Sequence, residues 1–508
     1  MKRTFIESVL LLSLLVSGCA TKRSQGLART APERTGTSPA PATAQATAAS
    51  VRTTDATGPR NSEAVAPGRL VAHQEEVPER PDAADSMPLP ILPEHQEPQL
   101  ALEELEAMAL AHNPTLVQAN AQVQADRGAA YQAGLPFNPV IGYTSEQIGV
   151  SGTAGELQGG FVDQEIVTGG KLRLSRAKWA QRAQIAATNS QAQQQRVLND
   201  VRSQFYRALA AQRVVEIHRR LVANGEDNLQ TQREMLNLGQ TTAAAVLQAE
   251  VDLRRDQLKR KDAENDFQQA WRTLAAMVGV PQLSSTTLQE SPATDPVPLD
   301  YDSALDRLLS GSPELTAARQ KIRHDQLQLE RERAEPVPNI LVNARAGRNF
   351  EAGDTTAGVN VGLRMPLYDR NRGTIQQAQA DLNRSHAEVR RLELELQTRL
   401  AAEYRTYLSA WQNIEEYQAT MLPKAEEAAK LLRQSYDDPK LPGNRRAPWV
   451  DVLAADRLRM NLEIEYVDSL KTYRESDIAL RGMLLSGGLT EPTAAVGGGH
   501  IDATPKPR

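Results

Sequence analysis

The sequence predicts a mainly α-helical chain with a small β part: long α-hairpins duplicated in tandem, with four β-strands per chain. Three observations carry that expectation. The first is the stretch from Lys171 to about Leu238, which has no proline and one interior glycine, Gly225. A helix of about 68 residues at ~1.5 Å each is about 100 Å long, too long for a globular core. Within it Val201, Ala208, Val215, Val222, Leu229 and Leu236 recur every seven residues, the spacing of a seam against another helix. The second is a repeat: Asn113-Pro114-Thr115-Leu116 reappears as Ser312-Pro313-Glu314-Leu315, and Thr168-Gly169-Gly170-Lys171 answers to Tyr368-Asp369-Arg370-Asn371, both at an offset of about 200 residues. The third is composition. Aromatics make up 4% of the chain and the mean hydropathy is -0.48, so there is little to fill a thick core, and long helices with thin seams are expected instead. The net charge of -5 is mild and mixed in sign and implies no nucleic-acid surface.

Residues 1–19 read as a targeting segment: Lys2 and Arg3 supply the charge, Val9 to Val16 the apolar run, and Val16-Ser17-Gly18-Cys19 the processing site. A run of about eight to ten apolar residues is too short to span a bilayer, which takes about 20. The tetrapeptide looks like a bacterial lipobox, in which the signal is removed before Cys19 and Cys19 receives lipid; the other reading is an ordinary secretory signal with an incidental cysteine. Cys19 is the only cysteine, so neither a disulfide nor a thiolate metal cluster competes for it. Ala20 after it resembles an outer-membrane address. Residues 20–99, dominated by Ala, Thr, Pro and Ser without periodicity, are expected to form a disordered tether.

Residues 100–285 form the first repeat. Leu102, Leu105, Met108, Ala109 and Leu116 give helical spacing from Leu100 to Ala133, with a restart at Asn113-Pro114. Extended segments follow at Val140 to Val150 and Leu157 to Val167, then the long helix, and then a return helix from Val246 to Val278 that ends at Gly279-Val280-Pro281. A linker, 286–300, leads to the second repeat, 301–487. There Ile340, Val342, Ala344 and Ala346 alternate with Asn343, Arg345 and Gly347, and Val359, Val361, Leu363 and Met365 with Asn360, Gly362 and Arg364. Leu400, Tyr407, Ile414, Met421 and Ala428 keep the seven-residue phase. Val452-Leu453-Ala454-Ala455-Asp456 matches Val246-Leu247-Gln248-Ala249-Glu250, with about six extra residues in the Asp437 to Pro448 turn, and the return helix runs from Val450 to Leu485. Gly225 and Pro423 fall at nearly equivalent places, where each long helix is expected to bend. Residues 488–508 read as a disordered tail.

Strands with one apolar face suit either a sheet packed on a core with its outer face in water or a membrane barrel with a wet lumen. The lipobox and the lack of an apolar partner favour the barrel, with Asn343, Arg345, Asn360 and Arg364 facing its lumen. Four strands leave two open edges, which lipid does not tolerate, so the barrel must be shared between chains.

The duplicated helix, strand pair, long helix and return helix, with the Asn-Pro-x-Leu entry, the Gly-Gly-Lys step and Leu238-Gly239 followed by Val246-Leu247-Gln248-Ala249-Glu250, resemble the TolC family of outer-membrane efflux proteins over residues 100 to 487. The resemblance implies a homotrimeric α-barrel/β-barrel whose twelve strands cross the outer membrane. It also implies docking to a periplasmic adaptor (a membrane fusion protein) and an inner-membrane pump such as an RND transporter. In the family, acidic residues near the second tip narrow the entrance. Val450-Asp451-Val452-Leu453 matches that pattern with Asp451 at the acidic position, although a solvated carboxylate at a helix N-terminus would look the same. Ala454 stands where some members have a second aspartate, and Asp456 is off the same helical line. Tyr436, Asp438, Arg445 and Arg446 are candidates to lock the tip through polar links. Adaptor docking is expected at Leu238, Gly239, Thr241 and Val246 and at Pro448 and Trp449, an exposed tryptophan or one packed between helices. The overall look resembles the branch exporting cobalt, zinc and cadmium or copper; drugs or a secreted protein remain open as cargo.

No cofactor, metal site or enzyme activity is expected. There is no P-loop, Gly497-Gly498-Gly499 belongs to the tail, and His73, His95, His112, His218, His324, His386 and His500 form no ligand spacing. His218 and His324 are expected on solvated helix faces. The alternative to a transport duct is a lipid-anchored periplasmic coiled-coil adaptor or scaffold, which would show a single hairpin flanked by soluble β modules.

Overall fold

A computed structural model describes residues 100–148, 156–289, 298–438, 442 and 446–495. The expected lipobox with Cys19, the tether 20–99, Val150, most of the linker and Arg445 lie outside the described residues. The first repeat contains α1 (Leu102–His112), α2 (Pro114–Ala133), β1 (Val140–Glu146), β2 (Leu157–Ile166), α3 (Lys171–Asn237) and α4 (Ala243–Val278). The second contains α5 (Tyr301–Gly311), α6 (Pro313–Ala334), β3 (Ile340–Asn349), β4 (Thr355–Leu363), α7 (Arg372–Glu416), a π-helical turn (Tyr417–Met421), α8 (Leu422–Asp437) and α9 (Trp449–Arg481).

The repeated motifs are helix starts. Asn113 accepts a hydrogen bond from Thr115 N at 3.0 Å and Ser312 accepts from Leu315 N at 3.4 Å, each followed by proline at the first helical position, where its missing N–H costs nothing. The step into each long helix needs a left-handed residue: Gly170 has φ 69° and Asn371 φ 56°. The second cap is therefore Asn371, one residue beyond Arg370, with which Gly170 aligns in sequence; asparagine is among the few residues that tolerate this conformation.

The 67-residue α3 is continuous. Val201, Ala208, Val215, Val222 and Leu229 of its predicted seam are buried, but Leu236, in the last turn, is 36% exposed. Gly225 does not interrupt the helix: a Cβ there would stand 3.2 Å from Leu253 Cδ1, so it permits close approach of α4. The second long helix behaves differently. Leu400, Tyr407 and Ile414 are buried, whereas Met421 is 37% exposed and Ala428 is exposed; Ala425 and Ala429 are buried instead. The π turn explains the slip. Pro423 has no N–H to give the carbonyl four residues back and crowds it, Leu422 N bonds Tyr417 O five residues back, and the extra residue moves the seam from 428 to 429. The two sites aligned in sequence are thus a packing glycine and a π turn.

The strands make one antiparallel sheet in the order β1-β2-β3-β4, with β2 and β3 joining the repeats from Leu157↔Asn349 to Ile166↔Ile340. No strand residue is fully buried. The sheet packed on a core is therefore excluded, and β1 and β4 keep open outer edges.

The helices pack edge to edge in two layers. Near the sheet the order is α2-α3-α6-α7; beyond the middle it is α4-α3-α9 with α7 and α8. The first and last helices of each layer do not pack on one another, so each layer is an open arc. Two equivalent cores lie between them: Leu105, Val201, Phe205 and Leu274 in the first repeat, Leu308, Leu400, Tyr407 and Tyr473 in the second. Among the described residues, no helix is long and apolar enough to cross a membrane.

The expected disordered tail is corrected in part. Residues 482–495 form a strap along α3: Asp200 accepts from Gly487 N and Gly488 N at 3.0 and 2.6 Å, Asn199 donates to Gly482 O and Leu485 O, and Ala495 is buried against Val123 and Ile185. Bonds from α3 to strap carbonyls satisfy backbone that composition alone reads as unstructured.

Candidate channel surfaces and periplasmic tip

The strand register sorts the sheet into two faces. Residues 141 and 143, 162 and 166, 340, 342 and 344, and 359, 361 and 363 share one face, which is mainly apolar and exposed, with Gln158, Gln164 and Arg348 also on it; Ile141 is 76%, Tyr143 67%, Val359 69% and Val361 67% exposed. The other face carries a polar row directly in register, Asp163, Asn343 and Asn360. Asn343 donates to Asp163, Asn360 Nδ2 donates to Asn343 Oδ1 at 3.3 Å, and Arg345 Nη1 meets Glu146 Oε1 at 2.9 Å. Arg364 continues this face just past β4, in a hollow it shares with Glu165, Lys171 and Asp369. All four residues expected to face a lumen thus lie on one polar face. Their partners Asp163 and Glu146, and Glu165, which accepts from Asn339, were missed because alternation in the first strand pair is broken by glycines; the parity of the second pair carries the signal.

The helical layer also has two faces. Along α3, Leu105 and Ala109 of α1 pack against Val201, Phe205 and Ala208, and the linker residue Leu288 joins them. On the far side Gln204, Arg207 and Val214 border a broad hollow of about 970 Å³ between α3, α4 and α9, with Asp266, Glu465, Asp468 and Glu475 around it. One face is covered and one is bare, polar and acidic.

At the first tip α3 ends in paired bonds, Gly239 N to Leu236 O at 3.0 Å and Gln240 N to Met235 O at 2.8 Å, with Gly239 at φ 68°. Leu238 is 71% exposed. Thr241 Oγ1 donates to Gln232 Oε1 at 3.2 Å. Val246 packs against Val222, Leu229, Ala249 and Leu253, so it is half committed to the hairpin's own seam.

The second tip is clasped to the first hairpin. Trp449 is half-buried rather than exposed: its ring lies 4.9 Å from that of Tyr436, Arg433 sits 5.8 Å over it, and its Nε1 donates to Asn228 Oδ1 of α3 at 2.8 Å. Arg457 of α9 reaches Asp256 at 3.2 Å and Asp252 at 3.7 Å on α4, and Arg433 reaches Asp456 at 3.8 Å. Asn228 and Arg457 were not expected. Asp451 is exposed in the first turn of α9, its N–H bonded to Pro448 O at 3.0 Å. Asp438 caps α8, and Arg446 is exposed.

Both expectations for histidine are corrected. His324 is 4% exposed, with Nδ1 3.0 Å from Asp325 Oδ1. His218 is half-buried between α3 and α4, and its Nδ1 is buried without a partner among the described residues. Burial first, then Lys259, pushes its pKa below the usual histidine value, with Asp256 acting the other way. Among the described residues no group of three or more His, Cys, Asp or Glu is placed to hold a metal.

An open strand ribbon with one apolar and one polar face, continued by an open helical arc, defines a chain that supplies one sector of a membrane-crossing duct. The chain belongs to the outer membrane efflux protein family, whose pattern matches residues 105–280 and 304–484. It is 26% identical over 404 residues to the cobalt-zinc-cadmium resistance protein CzcC of Cupriavidus metallidurans, covering 77% of this chain and 92% of that one. Its fold is that of the outer membrane protein VceC of Vibrio cholerae, with a TM-score of 0.60 at 17% identity over 76% of this chain and 96% of that one. It is likewise that of the outer-membrane channel OprN, with a TM-score of 0.62 at 16% identity over 77% and 91%. The chain is an exit duct of an efflux system in the outer membrane, extending into the periplasm. Family and fold are those of channels rather than enzymes, and the adaptor alternative is not favoured, since both repeats give strands to a single sheet.

Proposed function

We propose that three copies of this chain close the duct, and that it passes divalent cations handed on by a periplasmic adaptor and an RND-type inner-membrane pump. The observation that carries the reading is the matched pair of open edges: four strands end at unpaired β1 and β4, and four helices end at α2 or α4 on one side and α7 or α8 on the other. Unpaired strand edges are not tolerated in lipid, so the β1 edge of one copy must meet the β4 edge of the next. The polar row Asp163, Asn343, Asn360 with Arg345 and Arg364 then lines the barrel, and the bare acidic face of α3, α4 and α9 lines the helical tunnel, where negative walls favour cations. The likeness to a cobalt-zinc-cadmium resistance protein supports divalent cations as cargo.

In this reading Cys19 carries the lipid that holds the N-terminus at the outer membrane. Asp451, repeated three times near the axis, gives a ring of carboxylates whose repulsion is relieved by a passing cation. Leu238, Gly239 and Thr241 form the exposed part of the adaptor surface, with Val246 and Trp449 fixing its shape from beneath. A strain lacking the gene is expected to lose tolerance to cobalt, zinc and cadmium, and the full chain to migrate as a heat-resistant trimer from the outer-membrane fraction. Unchanged tolerance to every divalent cation tested would remove the cargo assignment; a monomer in that fraction would remove the duct.

A further inference from the structure

The covered face of the helical layer holds a second cavity, of about 490 Å³, between α3 and α9 and bounded at one end by Ile414 and Gln418 beside the π turn. Among the described residues its wall carries three phenols, Tyr206, Tyr466 and Tyr473, and three cations, Arg213, Lys471 and Arg474, and no carboxylate. The hollow on the bare face is bordered by four carboxylates and two cations, Arg207 and Lys471, the latter shared with this cavity, so the bare side of the layer is the more acidic one. Arg213 and Lys471 pair outside the cavity with Glu216 and Asp468. Among the described residues Arg474 has no such partner: its guanidinium lies 5.4 Å from the Tyr206 ring and 6.0 Å from the Tyr473 ring, and its Nε is buried without an acceptor there. Buried donors are normally satisfied, and an orphaned guanidinium N–H is suited to a carboxylate or phosphate oxygen. Leu209 and Leu470 complete an apolar wall. The cavity has the volume of a small-molecule site. It also sits between the two inner helices of the arc, away from the edges where copies would meet.

We propose that this cavity binds amphiphilic anions: a short apolar body in the tyrosine and leucine wall, ending in one carboxylate or phosphate held by Arg474. The anionic head takes the orphaned Nε donor, and the rings that flank the guanidinium hold its plane toward the ligand. Either kind of head fits, since both present oxygens to a guanidinium.

The test uses the full chain, transferred from detergent to amphipol, with octanoate, octyl phosphate, inorganic phosphate and octylamine as probes in calorimetry. Octanoate, octyl phosphate or both are expected to bind once per chain; carboxylate alone or phosphate alone identifies the head the site takes. Arg474→Met is expected to weaken binding by about tenfold or more and Arg474→Lys to restore part of it, as for a charge-assisted contact. Leu209→Trp, which fills the cavity, is expected to abolish binding while the oligomer still forms. The proposal is overturned if neither anion binds, if octylamine binds as well as octanoate, if inorganic phosphate binds as well as octyl phosphate, or if both Arg474→Met and Leu209→Trp bind unchanged.

Discussion

Trp449 ties the second tip to the first hairpin through one hydrogen bond, to Asn228, and two ring contacts, with Tyr436 and Arg433. Trp449→Phe keeps an aromatic ring there and deletes the bond, a loss of about 1 kcal/mol, and it leaves the Asn228 oxygen short of a donor. If the proposed duct is closed at this tip, it is therefore expected to open more often, and the open probability in planar bilayers should rise; adding Asn228→Ala should change little more, because both substitutions remove the same link. Full additivity of the two would rule the link out. His218 makes a pH-dependent contribution. Its folded pKa lies below the unfolded value of about 6.5, so the unfolded chain binds the extra proton and stability is lost as pH falls through that value. His218→Gln should flatten the fall of melting temperature between about pH 7 and pH 5.5; an equally steep fall in the variant would exclude His218 as its source. At this scale the lumen residues were legible, because a strand's period of two places Asn343, Arg345 and Asn360 on one side whatever the rest of the chain does. Asn228 was not, since its partner lies 221 residues away in sequence, and only the packing of α3 on α9 brings the two together.

Helix seams are legible where the helix stays α-helical and has a neighbour along its length; at Leu236, in the last turn of α3, the seam runs out. Seven-residue spacing placed Val201 to Leu229 and Leu400 to Ile414 correctly, because each turn adds the same angle. It failed at Met421 and Ala428 for a local reason, the additional residue that Pro423 imposes on the turn before it. Cysteine labelling tests this register. In Ala428→Cys the thiol is expected to react with maleimide in the folded protein, and in Ala429→Cys to be protected by the α8 and α9 contact. The reverse pattern would mean that the seam continues in its earlier phase and that the π turn is absent. The strap at 482–495 shows the opposite limit: residues from 488 on read as a disordered tail, yet Gly487 and Gly488 are anchored because Asp200 meets their amides and because Gly488, at which a Cβ would stand 2.8 Å from Val197 Cα, lies flat against α3.

At the scale of the whole chain, the deciding feature is that neither the sheet nor the helical layer can be completed from within. An apolar ribbon face with Ile141, Val359 and Val361 largely exposed is unfavourable in water and favourable in lipid, where each exposed side chain meets hydrocarbon rather than solvent. The duplication and the existence of two open edges could be read from the sequence, but which strands form those edges could not, because that depends on which strand of one repeat pairs with which of the other; β2 pairing with β3 leaves β1 and β4 outermost. Two substitutions on adjacent residues of β4 separate the faces. Val361→Arg places a charge on the lipid side, at a cost of about 2–4 kcal/mol per chain if it lies near the bilayer midplane, and this is repeated in every copy of the assembly. Asn360→Asp places a charge on the polar side, where water reaches it. Heat-resistant oligomer in the outer-membrane fraction should be lost or strongly reduced in the first and close to normal in the second. If both accumulate normally, the ribbon does not face lipid. If Asn360→Asp alone is lost, the faces are reversed, and with them the side of the sheet that lines the passage.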